Sequence, residues 1–90
     1  MVTTKTYKVD QRPYFSGIFI YFLNNLGSGI CLFNVHNGAV ANSTDYFRGT
    51  GTNFPFNLTL NSTNDTLTIT AKNGSSFRGT LALSCKFNVQ

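Results

Sequence analysis

The residues that could support acid–base or nucleophilic chemistry are few in this chain. It has one histidine, two cysteines and three aspartates, and it has no glutamate. His36 precedes Asn37-Gly38, a hairpin-turn signal, and is interpreted as a polar turn residue. A nucleophilic thiol would require Cys31 to pair with His36, but Cys31 lies in an apolar segment, where a thiolate is disfavoured. The sequence therefore predicts no catalytic residues and a non-enzymatic protein.

Carboxylate-pair chemistry and metal binding also lack the necessary residues. Glycoside hydrolysis requires a matched acid and base, and the candidate pair, Asp45 and Asp65, comes from separate segments. Cys31 and Cys85 do not have the spacing of metal ligands, and no glycine-rich phosphate-binding motif is present. We therefore expect neither a metal nor a cofactor. The cysteines are interpreted as buried thiols, and a disulfide between two strands stays open because its geometry does not follow from sequence.

Residues 42–53 contain the best candidate for a ligand site. This segment contains Gly49 and Gly51 and is predicted to be the longest irregular part of the chain, and loops often carry function. Aromatic faces contact sugar C–H groups, while amide, carboxylate and guanidinium groups hydrogen-bond sugar hydroxyls. The alternative is a structural loop in which Tyr46 or Phe47 fills the core. The candidate glycan-binding residues are Asn42, Asp45, Tyr46 and Arg48.

The composition predicts a surface that a partner can cover. Charged residues make up 11% of the chain, against about 25% in ordinary soluble domains, and asparagine, threonine, serine and glycine replace them. Burying such neutral groups costs less free energy than burying charges. The net charge is +4, but the basic residues are spread singly, whereas nucleic-acid-binding proteins cluster them. Nucleic acid is therefore not an expected partner.

The chain is predicted to be soluble. Its first residues lack the apolar segment of a secretory signal peptide. The most apolar run, residues 18–23, is far shorter than the roughly 20 residues that cross a bilayer. We expect no membrane insertion.

Alternating apolar and polar residues predict strands along most of the chain. The alternation is clearest over residues 56–60, 66–71 and 81–89, and Asn-Gly turn signals separate several segments. The pattern predicts an all-β fold: a single-domain, small antiparallel β-sandwich over residues 1–90, jelly-roll-like, with seven or eight short strands. Residues 1–12 are interpreted as an edge strand or an arm, because the alternation around Tyr7 and Val9 has lysine and threonine at its other positions. Gln11-Arg12-Pro13 is expected to break this segment, since proline lacks the donor that a central ladder needs.

The segment from Ile18 to Leu23 is apolar at successive positions, which predicts a strand buried on both faces. Strands of a lone sandwich have one apolar face, so a subunit interface would cover the second. The alternative is a cover formed by the 42–53 loop or the N-terminal arm. Residues 39–41 are predicted to be a short return strand after the hairpin. The candidate interface residues are Tyr14, Phe15, Phe19, Tyr21 and Leu23.

The last third of the chain also carries a family resemblance. Residues 56–76 read Phe-Asn-Leu-Thr-Leu-Asn-Ser-Thr-Asn-Asp-Thr-Leu-Thr-Ile-Thr-Ala-Lys-Asn-Gly-Ser-Ser, and an alternating run follows over residues 81–89. This stretch resembles the C-terminal β-sandwich domains of bacteriophage tail fibres and other virion appendages. The resemblance implies a jelly-roll-like homotrimer that is made in the host cytoplasm and lies at the virion surface. It also implies contact with other virion proteins and with host surface glycans.

Two positions on the virion fit this resemblance: a receptor-binding tail fibre, and a head fibre or capsid decoration. Two other functions remain as alternatives. One is a carbohydrate-binding module that uses the 42–53 segment. The other is a small viral inhibitor that binds one host protein.

Overall fold

A computed structural model describes residues 1–9, 14–47, 50–52, 56–61 and 63–83. The described residues form eight antiparallel strands and no helix. The predicted small antiparallel β-sandwich with seven or eight strands is therefore confirmed. The strands are β1 Thr4–Lys8, β2 Phe15–Leu23, β3 Gly27–His36, β4 Ala39–Phe47, β5 Thr50–Thr52, β6 Phe56–Asn61, β7 Thr66–Ala71 and β8 Phe77–Leu83.

The strands divide into a small sheet and a large sheet. The small sheet has three strands in the order β1-β7-β6, so β1 is an edge strand. The large sheet has five strands in the order β5-β4-β3-β2-β8. Strands β2 to β5 are consecutive antiparallel neighbours, and β8 pairs with the free side of β2. A backbone bridge between Val2 and Phe77 connects the beginning of the chain to β8.

The two sheets are held together by aromatic rings from both layers. Phe19 of β2 and Phe77 of β8 come from the large sheet, Phe56 of β6 comes from the small sheet, and all three are almost completely buried. Their ring centroids lie 4.8 to 6.0 Å apart with edge-to-face geometry. Such pairs contribute about 0.5–1.5 kcal/mol beyond the burial of their area. This ring cluster (Phe19, Phe56 and Phe77) forms the centre of the core.

The predicted Asn-Gly hairpin is present between β3 and β4. Asn37 and Gly38 have φ angles of 55° and 82°, the positive values that a two-residue type I′ turn requires. Gly74, in the turn between β7 and β8, has a φ of 76°. The turn signals in the sequence therefore marked these two strand connections correctly.

The prediction for residues 39–53 was wrong in one respect. The predicted short return strand continues to Phe47, and residues 50–52 form β5, so most of the expected irregular segment is a hairpin. The ladder between β3 and β4 extends to the Gly29–Phe47 pair, with a register shift at Asn34/Val35. Pairing with β3 on one side and β5 on the other satisfies the backbone of this polar segment, so its turn-like composition does not prevent a strand.

The final strand also begins earlier than the alternation indicated. β8 starts at Phe77, because its ladder with β2 runs from the Leu23–Phe77 pair to the Gly17–Leu83 pair. The predicted continuation to residue 89 lies outside the described residues, as do residues 10–13, where the N-terminal segment was expected to break.

The close packing of Gly17 gives a test of the core. A Cβ atom at this buried position of β2 would collide with the ring of Phe33 on β3. Because overpacking costs about 1–3 kcal/mol, we expect Gly17→Ala to lower the free energy of unfolding, measured by urea denaturation, by an amount in this range. Asn57→Ala on the exposed side of β6 is the control and should change it by less than about 0.5 kcal/mol. Equal stability of the two variants would contradict the packing described here.

Candidate functional site

The residues considered for nucleophilic chemistry do not meet. Cys31 is completely buried, whereas His36 is exposed at the end of the same strand. They are five positions apart, and odd spacings place residues on opposite faces of a strand. The His36 ring contacts the ring of Tyr14 instead, with centroids 5.0 Å apart. Within the described ranges, no group of three histidine, cysteine or acidic side chains is arranged to hold a metal.

The candidate glycan-binding residues lie on a strand rather than in a loop. Asn42, Asp45 and Tyr46 belong to β4, and Arg48 lies outside the described residues. The Tyr46 side chain is 44% exposed, so it does not fill the core. Its ladder partner is Ile30 on β3. The structure thus describes one exposed aromatic side chain of the predicted site, and the site as a whole stays a prediction.

Four of the five candidate interface residues belong to the core. Phe15, Phe19, Tyr21 and Leu23 are inward-facing residues of β2, whereas Tyr14, just before the strand, is 59% exposed. Within this single chain, β2 is therefore buried on one face. This corrects the choice of inward-facing residues as interface candidates, whereas a subunit interface over the second face stays a prediction. The physical reason is that two packed sheets cover only one face of each, so the alternate residues of β2 remain on the outside.

These alternate residues form the main apolar surface that the structure describes. Ile20 is 53% exposed, and Ile30 and Leu32 on the neighbouring strand are each 43% exposed. The ladder places Ile18 opposite Leu32 and Ile20 opposite Ile30. Together these side chains form a continuous outer apolar strip, which consists of Ile18, Ile20, Phe22, Ile30, Leu32 and Tyr46.

Neutral polar residues and one arginine surround the outer apolar strip. Thr80 pairs with Ile20 across β8 and β2, and Thr44 pairs with Leu32 across β4 and β3. The Arg78 guanidinium lies 5.6 Å from the centre of the Phe22 ring, a cation–π distance. An apolar centre with a polar rim is the usual anatomy of a protein interface.

The outer face of the small sheet has a contrasting chemistry. In two of its cross-strand pairs, hydroxyl oxygens lie within hydrogen-bonding range: Thr4 and Thr70 at 3.3 Å, and Thr6 and Thr68 at 3.2 Å. This threonine face has a single charged residue, and no large apolar side chain belongs to it. It consists of Thr4, Thr6, Lys8, Asn57, Thr59, Asn61, Thr66, Thr68 and Thr70.

A third surface feature lies between β1 and β8, at an edge of the sandwich. A groove of about 220 Å³ is lined there by apolar parts of Tyr7 and Phe77 and by the basic residues Lys5 and Arg78. Tyr7 is half-buried, its ring centroid is 6.4 Å from that of Phe19, and the Lys5 amine lies 5.9 Å from its ring. Burial raises the pKa of the Tyr7 phenol above its usual value.

Comparison with family models, with curated proteins and with solved structures finds no match for this chain. Among the described residues there is no helix long and apolar enough to cross a membrane. The function must therefore be inferred from the chemistry and geometry of the surfaces described above.

The raised pKa of Tyr7 predicts a loss of stability in alkaline solution. The unfolded chain loses the phenolic proton near pH 10, whereas the folded protein keeps it to a higher pH. The contribution of the buried phenol to the free energy of unfolding is complete below about pH 10 and is lost as the pH rises through the pKa of Tyr7 in the folded protein. We expect urea unfolding at rising alkaline pH to show this loss, and Tyr7→Phe to reduce it.

Tyr14→Phe is the matched control, since it removes a hydroxyl from an exposed ring. It should keep the alkaline loss of the parent chain. If Tyr7→Phe and the parent have the same alkaline dependence, the burial of the Tyr7 hydroxyl is contradicted.

Proposed function

We propose that this chain is a non-enzymatic structural protein of a virion surface, of the bacteriophage type, that self-associates through the outer apolar strip. The observation that carries the proposal is the exposure of large apolar side chains along β2 and β3, together with Tyr46 on β4. Soluble monomers rarely expose large continuous apolar patches, and those that occur often mark interaction sites. Contact with a second copy would cover these side chains.

The dimensions of the large sheet suit such a contact. Neighbouring strands lie about 4.8 Å apart, and each residue adds about 3.3 Å along a strand. With the strand lengths given above, the five strands of the large sheet present a face of roughly 600 Å². A stable interface covers about 800 Å² on each partner, so the face and its immediate rim together supply an area of this order. The strip residues themselves are uncharged. Two chains with a net charge of +4 can therefore meet there without burying like charges.

Composition and resemblance support the virion assignment. A charge-poor, threonine- and asparagine-rich chain can form extensive contacts without desolvating ions, which suits a protein that works by assembly. The resemblance of residues 56–89 to phage tail-fibre and appendage domains favours a homotrimer, with other virion proteins and host glycans as further partners. Receptor-binding fibre and head decoration are both consistent with these features.

Solution mass tests the assembly proposal. Light scattering after size exclusion, over a range of concentrations, should give a multiple of 9.9 kDa, with the trimer favoured. Ile20→Glu places a charge in the middle of the outer apolar strip and should produce a monomer, because burying an unpaired carboxylate is costly. Thr68→Glu, on the threonine face, is the control and should keep the parent mass. A parent chain that stays monomeric at high concentration would remove the proposal.

The virion location has its own test. Antibodies or mass spectrometry should detect the protein in purified particles of the virus that encodes it. Fractionation of tails from heads then separates the two locations, and absence from both fractions would count against a virion role whatever the oligomeric state.

A second candidate function is a carbohydrate-binding module, which is favoured by the exposed ring of Tyr46. On the same face of the large sheet, an open groove of about 410 Å³ is lined in part by Leu32, Asn34 and Thr44 but not by Tyr46, so amide and hydroxyl groups lie on the face that carries the aromatic ring. The viral inhibitor of a host protein stays a prediction from the sequence.

A glycan array tests the carbohydrate-binding candidate. We expect binding by the parent chain, its loss in Tyr46→Ala because the aromatic face is removed, and its retention in Tyr14→Ala, the control at another exposed tyrosine. Binding that survives Tyr46→Ala, or an array with no signal, would exclude this site.

A further inference from the structure

Over most of its length, β8 has one side with no strand beside it among the described residues. Along its length β8 pairs with β2. On its other side, within the described part of the chain, its backbone partner is Val2, which bridges to Phe77 at the beginning of the strand. From residue 78 to residue 83, no described strand occupies this side.

The bridge shows which backbone groups face the open side. The Val2 N–H donates to the Phe77 carbonyl at 3.1 Å, and the Phe77 N–H donates to the Val2 carbonyl at 2.7 Å. The backbone groups of Phe77 therefore point away from β2. Because this direction alternates along an antiparallel strand, those of Gly79, Leu81 and Leu83 point the same way.

β8 also has few of the features that usually prevent edge strands from pairing. Edge strands are commonly shortened, or carry prolines and lysines. β1 has Lys5 and Lys8, and β5 has three residues, whereas β8 has seven residues, no proline and one charge, Arg78. The exposed Gly79 has no side chain to obstruct an approaching backbone. Glycine is required there, since a Cβ atom would lie 2.6 Å from the Phe19 ring.

The groove beside this edge indicates the chemistry of the ligand. Its described lining combines apolar surface with two cations, Lys5 and Arg78, and includes no acidic side chain; the apolar surface comes from Met1, Val2, Tyr7 and Phe77. A strand added along β8 would bring an apolar side chain over the groove. Because side chains alternate between faces, the residues two positions away lie on the same face, where acidic side chains can approach the cations. Strand addition generally combines main-chain hydrogen bonds for affinity with side-chain pockets for specificity.

We propose that β8 binds an extended acidic peptide segment as a sixth strand of the large sheet, with an apolar side chain in the groove between β1 and β8. Charge complementarity selects this occupant, because Lys5 and Arg78 border the groove and the whole chain is basic. This site adjoins the outer apolar strip through Arg78, whose guanidinium also lies over the Phe22 ring, but strand addition along β8 does not depend on self-association.

The test is an NMR titration of the ¹⁵N-labelled chain with a synthetic peptide, acetyl-Asp-Thr-Val-Thr-Phe-Thr-Asp-amide. We expect chemical-shift changes and slower hydrogen exchange at the amides of Gly79, Leu81 and Leu83, because these amides gain carbonyl partners. The same peptide with lysine in place of both aspartates is the ligand control and should bind at least several-fold more weakly. The titration is run on both the parent chain and Ile20→Glu, so that peptide binding is tested whether or not the chain self-associates.

Two kinds of variant separate the backbone contribution from the charge contribution. Leu81→Pro removes an N–H that points to the open side, where proline is tolerated in edge strands, and should abolish binding. The double variant Lys5→Gln/Arg78→Gln keeps the backbone and should lower the affinity several-fold, whereas Lys72→Gln, at an exposed turn position, should not. The double variant keeps the test decisive if Leu81→Pro fails to fold.

Three results would overturn the proposal. The first is no shift at saturating peptide. The second is equal binding of the acidic and basic peptides, or binding that is unaffected by both sets of variants. The third concerns an Ile20→Glu chain that still dimerises. If the amides of Gly79, Leu81 and Leu83 exchange slowly in that chain without peptide, a second copy and not a peptide occupies the open side of β8.

Discussion

The structure depends on one constraint: two sheets of a single small sandwich can cover each other on one face only. The ring cluster of Phe19, Phe56 and Phe77 joins the layers and fixes this contact. Every apolar residue that does not point into that single core must lie on an outer surface. The outer apolar strip follows directly, because β2 and β3 carry more large apolar residues than one face can accommodate.

The strands and most turns could be predicted from the sequence, because period-two alternation and Asn-Gly pairs act locally. The polar hairpin of β4 and β5 could not, since its strand conformation depends on hydrogen bonds to β3, a partner whose register local composition does not reveal. The doubly apolar run at residues 18–23 correctly pointed to an excess of apolar surface. It did not show which alternate residues of this run face the core, because both sets are apolar. Packing against the opposing sheet decides which set is buried.

The outer faces of the two sheets differ in how much free energy they gain when they are buried. The strip on the large sheet gains free energy when it is removed from water, at about 25 cal/mol per Å² of apolar area. The threonine face gains little from burial, and its hydroxyls already lie within hydrogen-bonding range of one another across the strands. A chain with this asymmetry would place one sheet inside an assembly and present the other to solvent. In the proposed assembly, this arrangement would give the subunits a defined orientation.

The close approach of Gly17 to Phe33 also constrains how this sequence can diverge. The two residues are ladder partners on β2 and β3, and the ring occupies the space that a side chain at position 17 would need. A lineage could accept a larger residue at 17 after the residue at 33 had become smaller, but the reverse order passes through an overpacked intermediate. Positions 17 and 33 should therefore change together, with the smaller residue at 33 appearing before the larger residue at 17. The residue present at one position thus restricts which residues the other can accept.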